Sequence, residues 1–379
     1  MNPKLCSPGC LMNHSSLALI LALGICPGMP AQSIVVPAAL ATSDGASSGA
    51  LAGVSFRGRQ QVLIDASLLG GASSHNLDAL WFRRDAGHRD SLAAGTAGWS
   101  IRIGETTVAP TRAQRGFQSN FETNVTTCFQ GTVSIPASPA PGADPWAIDQ
   151  TLRIPFTVPV PYSGGHLCIE LESTSALVMS SRWPVDCASE SLDGAALPIG
   201  IHCSALAEIP AQYALTTNAN LLAIGATVRF AVMGRFGTPA ALVIGQELNG
   251  GIDLDGIGMT GCRLYVQSSA VLNSILTDRP NAVPAWEAAG CTFEFAIPFS
   301  SSLLSGTFAA QSVNLETGSQ TSNPLGVTLS QGLRCTLASS PPTLGMAMVD
   351  CPPIDLPAPL PTEGIVINNS APVLKLFYH

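Results

Sequence analysis

Leu152-Arg153-Ile154-Pro155-Phe156-Thr157-Val158-Pro159-Val160-Pro161 decides the fold class. Apolar side chains fall at every second position, the period of a strand with one buried face and not of a helix. Prolines hold three of the alternate positions. Lacking an N–H for a ladder, they place this strand at a sheet edge or kink it out of the sheet midway. Ser163-Gly164-Gly165 then turns the chain, and Leu167, Ile169 and Leu171 alternate against Cys168, Glu170 and Glu172. The pair reads as a hairpin with a longer loop.

The same period recurs on both sides. Ser33 to Val36 is strand-like and leads into an Ala/Ser/Gly-rich loop over 38–53; Trp99, Ile101 and Ile103 alternate with Ser100 and Arg102. Further on come Val228, Phe230 and Val232, then Ala241 to Ile244, Arg263 to Val266, Phe308 to Leu315 and Leu333 to Leu337. Phe293, Phe295, Ile297 and Phe299 give the strongest alternation in the chain. No capped amphipathic helix exceeds two turns, and Pro284 to Ala289 suits one short turn. Short strands separated by Gly and Pro turns predict an all-β protein of antiparallel sandwiches. Strand periodicity lapses between Cys203 and Thr216, around Pro210, Asn218 and Asn220, where a linker is expected. The expected organisation is an N-terminal sandwich over 32–206, an immunoglobulin-like sandwich over 207–340 and a Pro-rich tail over 341–379. The tail reads as extended, and its runs Ile365 to Ile367 and Val373 to Tyr378 are suited to a sheet edge.

Residues 1–31 read as a secretory leader: Lys4 without acids, the apolar run Leu17 to Ile25, and Met29-Pro30-Ala31 as the cleavage site. That apolar run is too short to span a bilayer, and no later stretch is long enough. Ile25 before Cys26 is too bulky for a lipoprotein acylation site. The 379 residues carry 46% hydrophobic and only 11% charged side chains, with net charge −8. No basic run exceeds Arg83-Arg84, so a nucleic-acid partner is excluded. Of 11 cysteines, Cys6, Cys10 and Cys26 lie in the leader, leaving 11 − 3 = 8. In an exported chain these read as disulfides. Nearest-neighbour pairing gives Cys128–Cys168, Cys187–Cys203, Cys262–Cys291 and Cys335–Cys351.

Gly237 to Gly245, Ile252-Asp253-Leu254, Gly261 to Val266, Phe295 to Pro298, Leu304 to Gln311 and Ser330 to Leu333 form a recurring set of markers. With Val36-Pro37-Ala38, Trp81 to Asp85 and Pro155-Phe156, the chain resembles large families of secreted two-module proteins of planctomycete-type bacteria. The resemblance implies two β modules and an exported location. It implies no activity and no catalytic residue.

Few local patterns point to chemistry. Gly45-Ala46-Ser47-Ser48-Gly49 has nucleophile-elbow spacing, but its flanks lack the strand and helix that strain such a serine. Asp253-Leu254-Asp255-Gly256 begins like a calcium loop and fails at Ile257 and Leu264, so it reads as a turn. His166 with Cys168 and His202 with Cys203 lack the spacing of a zinc site. The densest polar cluster follows Trp81: Arg83, Arg84, Asp85 and His88, with Arg89 and Asp90. An aromatic beside fixed donors and acceptors suits a sugar or an anion, while the competing reading is a solvated loop. The expected function is therefore an exported, non-enzymatic protein of the cell surface or extracellular matrix, structural, adhesive or glycan-binding, with an extracellular glycan or surface protein as partner. No cofactor, metal or catalytic residue is assigned. The alternative is a secreted hydrolase whose residues are scattered over loops.

Overall fold

The computed structural model describes residues 32–122, 124–174, 183–203, 214–219, 222–277, 288–315, 326–351 and 359–379. The leader, residues 284–287 of the expected Pro284 to Ala289 turn, Pro210, Asn220 and Pro352, Pro353 and Pro357 lie outside them; Ala288 and Ala289 begin a strand.

The chain is all-β, and every ladder between its strands is antiparallel. A six-stranded sheet runs in the order β20 (Ile365–Ile367), β19 (Met346–Asp350), β3 (Arg59–Ile64), β8 (His166–Ser173), β5 (Gly95–Thr106), β6 (Val125–Ile135). A four-stranded sheet runs β1 (Gln32–Val36), β22 (Leu374–Tyr378), β4 (His75–Arg83), β7 (Thr151–Tyr162). One core joins them: Leu80, Phe82, Leu152, Leu374 and Leu376 pack with Val62, Trp99, Ile101, Leu167 and Ile169. Leu152, Trp99, Ile101, Leu167 and Ile169 are alternate positions read from the sequence, since a pleated strand sends every second side chain to one face. A smaller sheet adds β2 (Ser47–Gly49), β9 (Val185–Ser189) and β21 (Ser370–Pro372). The loop after β2 closes over Trp99, whose indole N–H donates to the Ala52 carbonyl at 2.7 Å. Gly53, at φ 85°, lies so near the indole that a Cβ would overlap it, so only glycine fits there.

A second sandwich has its own core. Its larger sheet runs β10 (Ala195–Ile199), β18 (Gly332–Thr336), β16 (Thr307–Leu315), β13 (Pro239–Asp253), β14 (Arg263–Ile275), with β17 (Val327–Leu329) also on β16. The smaller runs β11 (Leu215–Thr217), β12 (Thr227–Arg235), β15 (Ala288–Ala296). Val228, Phe230, Val232 and Phe293 pack against Leu242, Ala310 and Leu333.

Three expectations need correction. The C-terminal segment is no appended tail: β22 lies between β1 and β4, and β19 between β20 and β3, while β20 and β21 hold edges. The run Ile365 to Ile367 does take a sheet edge, as β20, but Leu374 and Leu376 are fully buried in the interior strand β22. The strands of the second sandwich are thus inserted in sequence between two parts of the first, and they begin by Ala195 and not at 207, because β10 pairs with β18. Finally, β7 and β8 form no hairpin, since Ser163-Gly164-Gly165 carries the chain from one sheet to the other. As the prolines predict, β7 is an edge strand, and it leaves the ladder midway. Leu77 pairs with Val160 but Ala79 with Pro155, so residues 156–159 bulge out.

The cysteines also pair differently. The described disulfide joins Cys203 to Cys262, at 5.0 Å between Cα atoms, which displaces the expected Cys187–Cys203 and Cys262–Cys291 bonds. Cys128 and Cys168 sit on β6 and β8 with β5 between them, two strand spacings or about 9–10 Å apart, beyond disulfide reach. Cys335 belongs to the second core and Cys351 to a cluster of the first sandwich. Cys262→Ser is expected to lower stability by about 2–4 kcal/mol, as the bond closes a long loop. Urea denaturation checks it, and an unchanged midpoint would show that the loop gains nothing from the bond. Burial pushes the Cys128, Cys187 and Cys335 thiols up to about 12, so they should react slowly with thiol reagents until the protein unfolds.

Candidate functional site

A groove of about 630 Å³ opens where the same ends of both sheets of the first sandwich meet. Ser74, His75 and Asn76 enter from the start of β4, Gly104 and Glu105 from the end of β5, and Val160 to Ser163 from the end of β7. Glu122, Asn124, Thr126, Leu167 and His379 complete it. The β7 bulge is tied to β6 by the Thr157 hydroxyl, which donates to the Cys128 carbonyl at 3.0 Å. Its size lies in the range of small-ligand sites.

The polar groups of the groove are held in place by the fold. Both Glu105 oxygens accept from the Ser163 hydroxyl, at 2.9 and 2.7 Å, and one also from the Ser163 N–H. Burial raises the Glu105 pKa, but these bonds and those from Gly164 and Gly165 outweigh it, so the carboxylate is held below its ordinary range. Glu122 accepts from the Thr107 N–H at 2.9 Å. The Tyr162 hydroxyl donates to the Gly165 carbonyl at 2.7 Å; burial first, then Glu105 and Asp65, push its pKa up to about 12. His75 Nδ1 lies 2.8 Å from the Ser73 carbonyl and His379 Nδ1 2.5 Å from Asp78 Oδ2. Asn76 and His379 exchange backbone hydrogen bonds, anchoring the chain end at the rim.

The Arg83 to His88 cluster is a buried anchor. Arg83 is 1% exposed. Its guanidinium pairs with Asp186, Nε to Oδ2 at 2.6 Å, and donates to the Leu40 and Ser43 carbonyls at 2.7 and 2.5 Å. Arg84 donates to the Ser138 hydroxyl at 2.8 Å, the His88 carbonyl at 2.6 Å, and the Pro139 and Asp90 carbonyls. Asp85 accepts from the Gly87 N–H. These donors are spent within the chain, which folds the 84–90 loop around Arg84. Trp81 faces away from the core, opposite Leu80 and Phe82, but Arg153 stacks on its ring at 3.9 Å and Phe377 packs at 4.4 Å. Beside this pair, Asp44, Asp85 and Asp186 come together, their oxygens within 4.8 Å of one another.

Of the other motifs, Ser47 lies on β2, donates to the Cys187 carbonyl at 3.4 Å and precedes no helix. Asp253 accepts from the Asp255 N–H and Asp255 from the Gly261 N–H, a turn closed by its own carboxylates. His166 Nδ1 accepts from the Ala66 N–H at 3.0 Å, and Cys203 is in the disulfide.

One acid is raised towards neutrality, far from the groove lining. Burial alone pushes Asp350, on β19, up to about 7, and its Oδ1 has no hydrogen-bond partner. The folded state therefore holds this proton more tightly than the unfolded chain. Stability is fully present below the unfolded value of 3.8 and falls as pH rises through about 7. Asp350→Asn is expected to flatten that fall and to stabilise the protein by about 1–3 kcal/mol at pH 8. Thermal melts of both proteins at pH 5 and pH 8 check this, and parallel shifts would refute it.

No known protein family, curated protein or solved structure matches this chain. No helix among the described residues is long and apolar enough to cross a membrane.

Proposed function

We propose that this is an exported, non-enzymatic protein of the cell surface or matrix that binds a hydroxyl-rich ligand, a glycan chain, in the groove at the end of the first sandwich. Export rests on the leader-like residues 1–31 and on the resemblance to secreted planctomycete-type proteins. The observation that carries the binding reading is the groove: a cavity of about 630 Å³ whose carboxylates, imidazoles and amides converge from β4, β5, Glu122 and Asn124 ahead of β6, and His379. Sugars are recognised by such fixed polar groups, because hydroxyls need partners of both kinds in set positions.

The hydrolase alternative draws on Glu105 and Glu122 lining the same groove. A glycosidase acid must keep its proton near neutral pH, which requires a raised pKa. Glu105 is shifted the opposite way and is tied to Ser163. Asp350 and Asp186, the acids that burial raises, are not among the groove residues. A glycan array on the purified protein, with turnover assayed on each bound glycan, tests the reading. Binding without turnover is expected. Turnover would favour the hydrolase, and an array without hits would remove the glycan.

A further inference from the structure

We infer that the groove selects a cationic glycan, a chain of free amino sugars such as a glucosamine oligomer, over neutral or acidic chains. This rests on the glycan-binding reading and adds its charge preference.

Glu105 and Glu122 bring two carboxylates to the lining, and no described lining residue is Lys or Arg. Glu105 stays ionised, since its hydrogen bonds outweigh the cost of burial. Two of the lining donors are already engaged: the Ser163 hydroxyl donates to Glu105 and the Tyr162 hydroxyl to the Gly165 carbonyl. The histidines add acceptors. His75 Nδ1 donates to the Ser73 carbonyl and His379 Nδ1 to Asp78, so in the neutral ring each leaves Nε2 as an acceptor. Asn76, Asn124 and Thr126 remain for ring hydroxyls. A ligand matching this lining brings several N–H donors and positive charge. An ammonium on a sugar ring supplies three donors to carboxylates in charge-assisted bonds. A uronic acid would set a carboxylate against Glu105 and Glu122, and an N-acetylated sugar would offer one weak donor in place of three.

Titration calorimetry with three tetrasaccharides at physiological salt tests the inference: glucosamine, N-acetylglucosamine and galacturonate. Glucosamine should bind about tenfold or more tightly than the N-acetylated chain, and galacturonate least, as expected for hydrogen bonds between charged partners. Glu122→Gln keeps an oxygen for the Thr107 N–H and is exposed, so the fold should survive; it should weaken glucosamine binding several-fold more than N-acetylglucosamine binding and so shrink the preference. Glu363→Gln, 62% exposed and outside the groove, should leave it intact. Equal affinities, a preference for galacturonate, or an equal effect of both substitutions would overturn the inference. The last result would trace the preference to the overall charge of −8. Failure of all three sugars to bind would instead overturn the glycan reading itself.

Discussion

Ending the chain after Asn369 is expected to unfold the first sandwich and leave the second folded. The deletion removes β21 and β22. β22 pairs with β1 over Gln32–Val36 and with β4 over Leu77–Phe82, so its loss opens a gap inside the four-stranded sheet. Leu374 and Leu376 are fully buried and Tyr378 nearly so. Truncating one such side chain costs about 2–5 kcal/mol, and a whole domain is stable by only about 5–15 kcal/mol. Losing all three with their ladders exceeds that margin. The second core takes no residue from beyond Leu337 and should persist. Urea denaturation followed by far-UV circular dichroism should lose part of its amplitude and keep one cooperative transition. Retention of the full amplitude would show that β22 is dispensable.

Glu170→Ala should lower stability by about 3–5 kcal/mol, the cost of leaving buried charges without their partner. Alternation puts Glu170 on the polar face of β8, yet its side chain is 0% exposed. Arg102 donates to Oε1 through Nε and Nη2 at 2.8 and 2.6 Å, Gln61 donates to Oε2 at 2.8 Å, and Arg59 Nε lies 3.4 Å away. The turns 110–112 and 117–120 cover this face, with Phe117 over Arg59 and Phe121 over Arg102. Removing the carboxylate takes from Arg102 its ion-pair partner, while Arg59 keeps Glu172 at 3.1 Å. Denaturant midpoints of Glu170→Ala and Glu170→Gln measure it. The amide should recover part of the loss, because it still accepts a hydrogen bond. A near-neutral Ala variant would mean that water replaces the carboxylate at no cost.

The class of fold was legible because its signal is local. Trp99, Ile101 and Ile103, or Phe293 and Phe295, announce a strand from within a few residues, and the prolines of β7 announce its edge. The order of strands was not legible. That Leu374 to Tyr378 returns to lie beside His75 to Arg83 is a contact across most of the chain, and no local period encodes it. The disulfide failed for the same reason: Cys203 and Cys262 are neighbours through β10, β17 and the β13–β14 turn, not through sequence. The Arg83 cluster shows a third limit. Its composition suits a binding loop, but Asp186, Leu40, Ser43 and Ser138 turn its donors inward. Glu105, Glu122, Tyr162, Ser163 and His379 carry no spacing that marks them as a group. The one usable sign was that Ser163 follows the proline-rich edge strand, whose last residues Val160 to Tyr162 line the groove.

Hydrogen–deuterium exchange of the protein with and without the tightest-binding oligosaccharide tests the groove most directly. Protection confined to segments 74–76, 104–107, 122–126 and 160–167 is the expected result. Protection centred on the 83–90 loop, or spread evenly over the second sandwich, would contradict the assignment of the groove as the binding site.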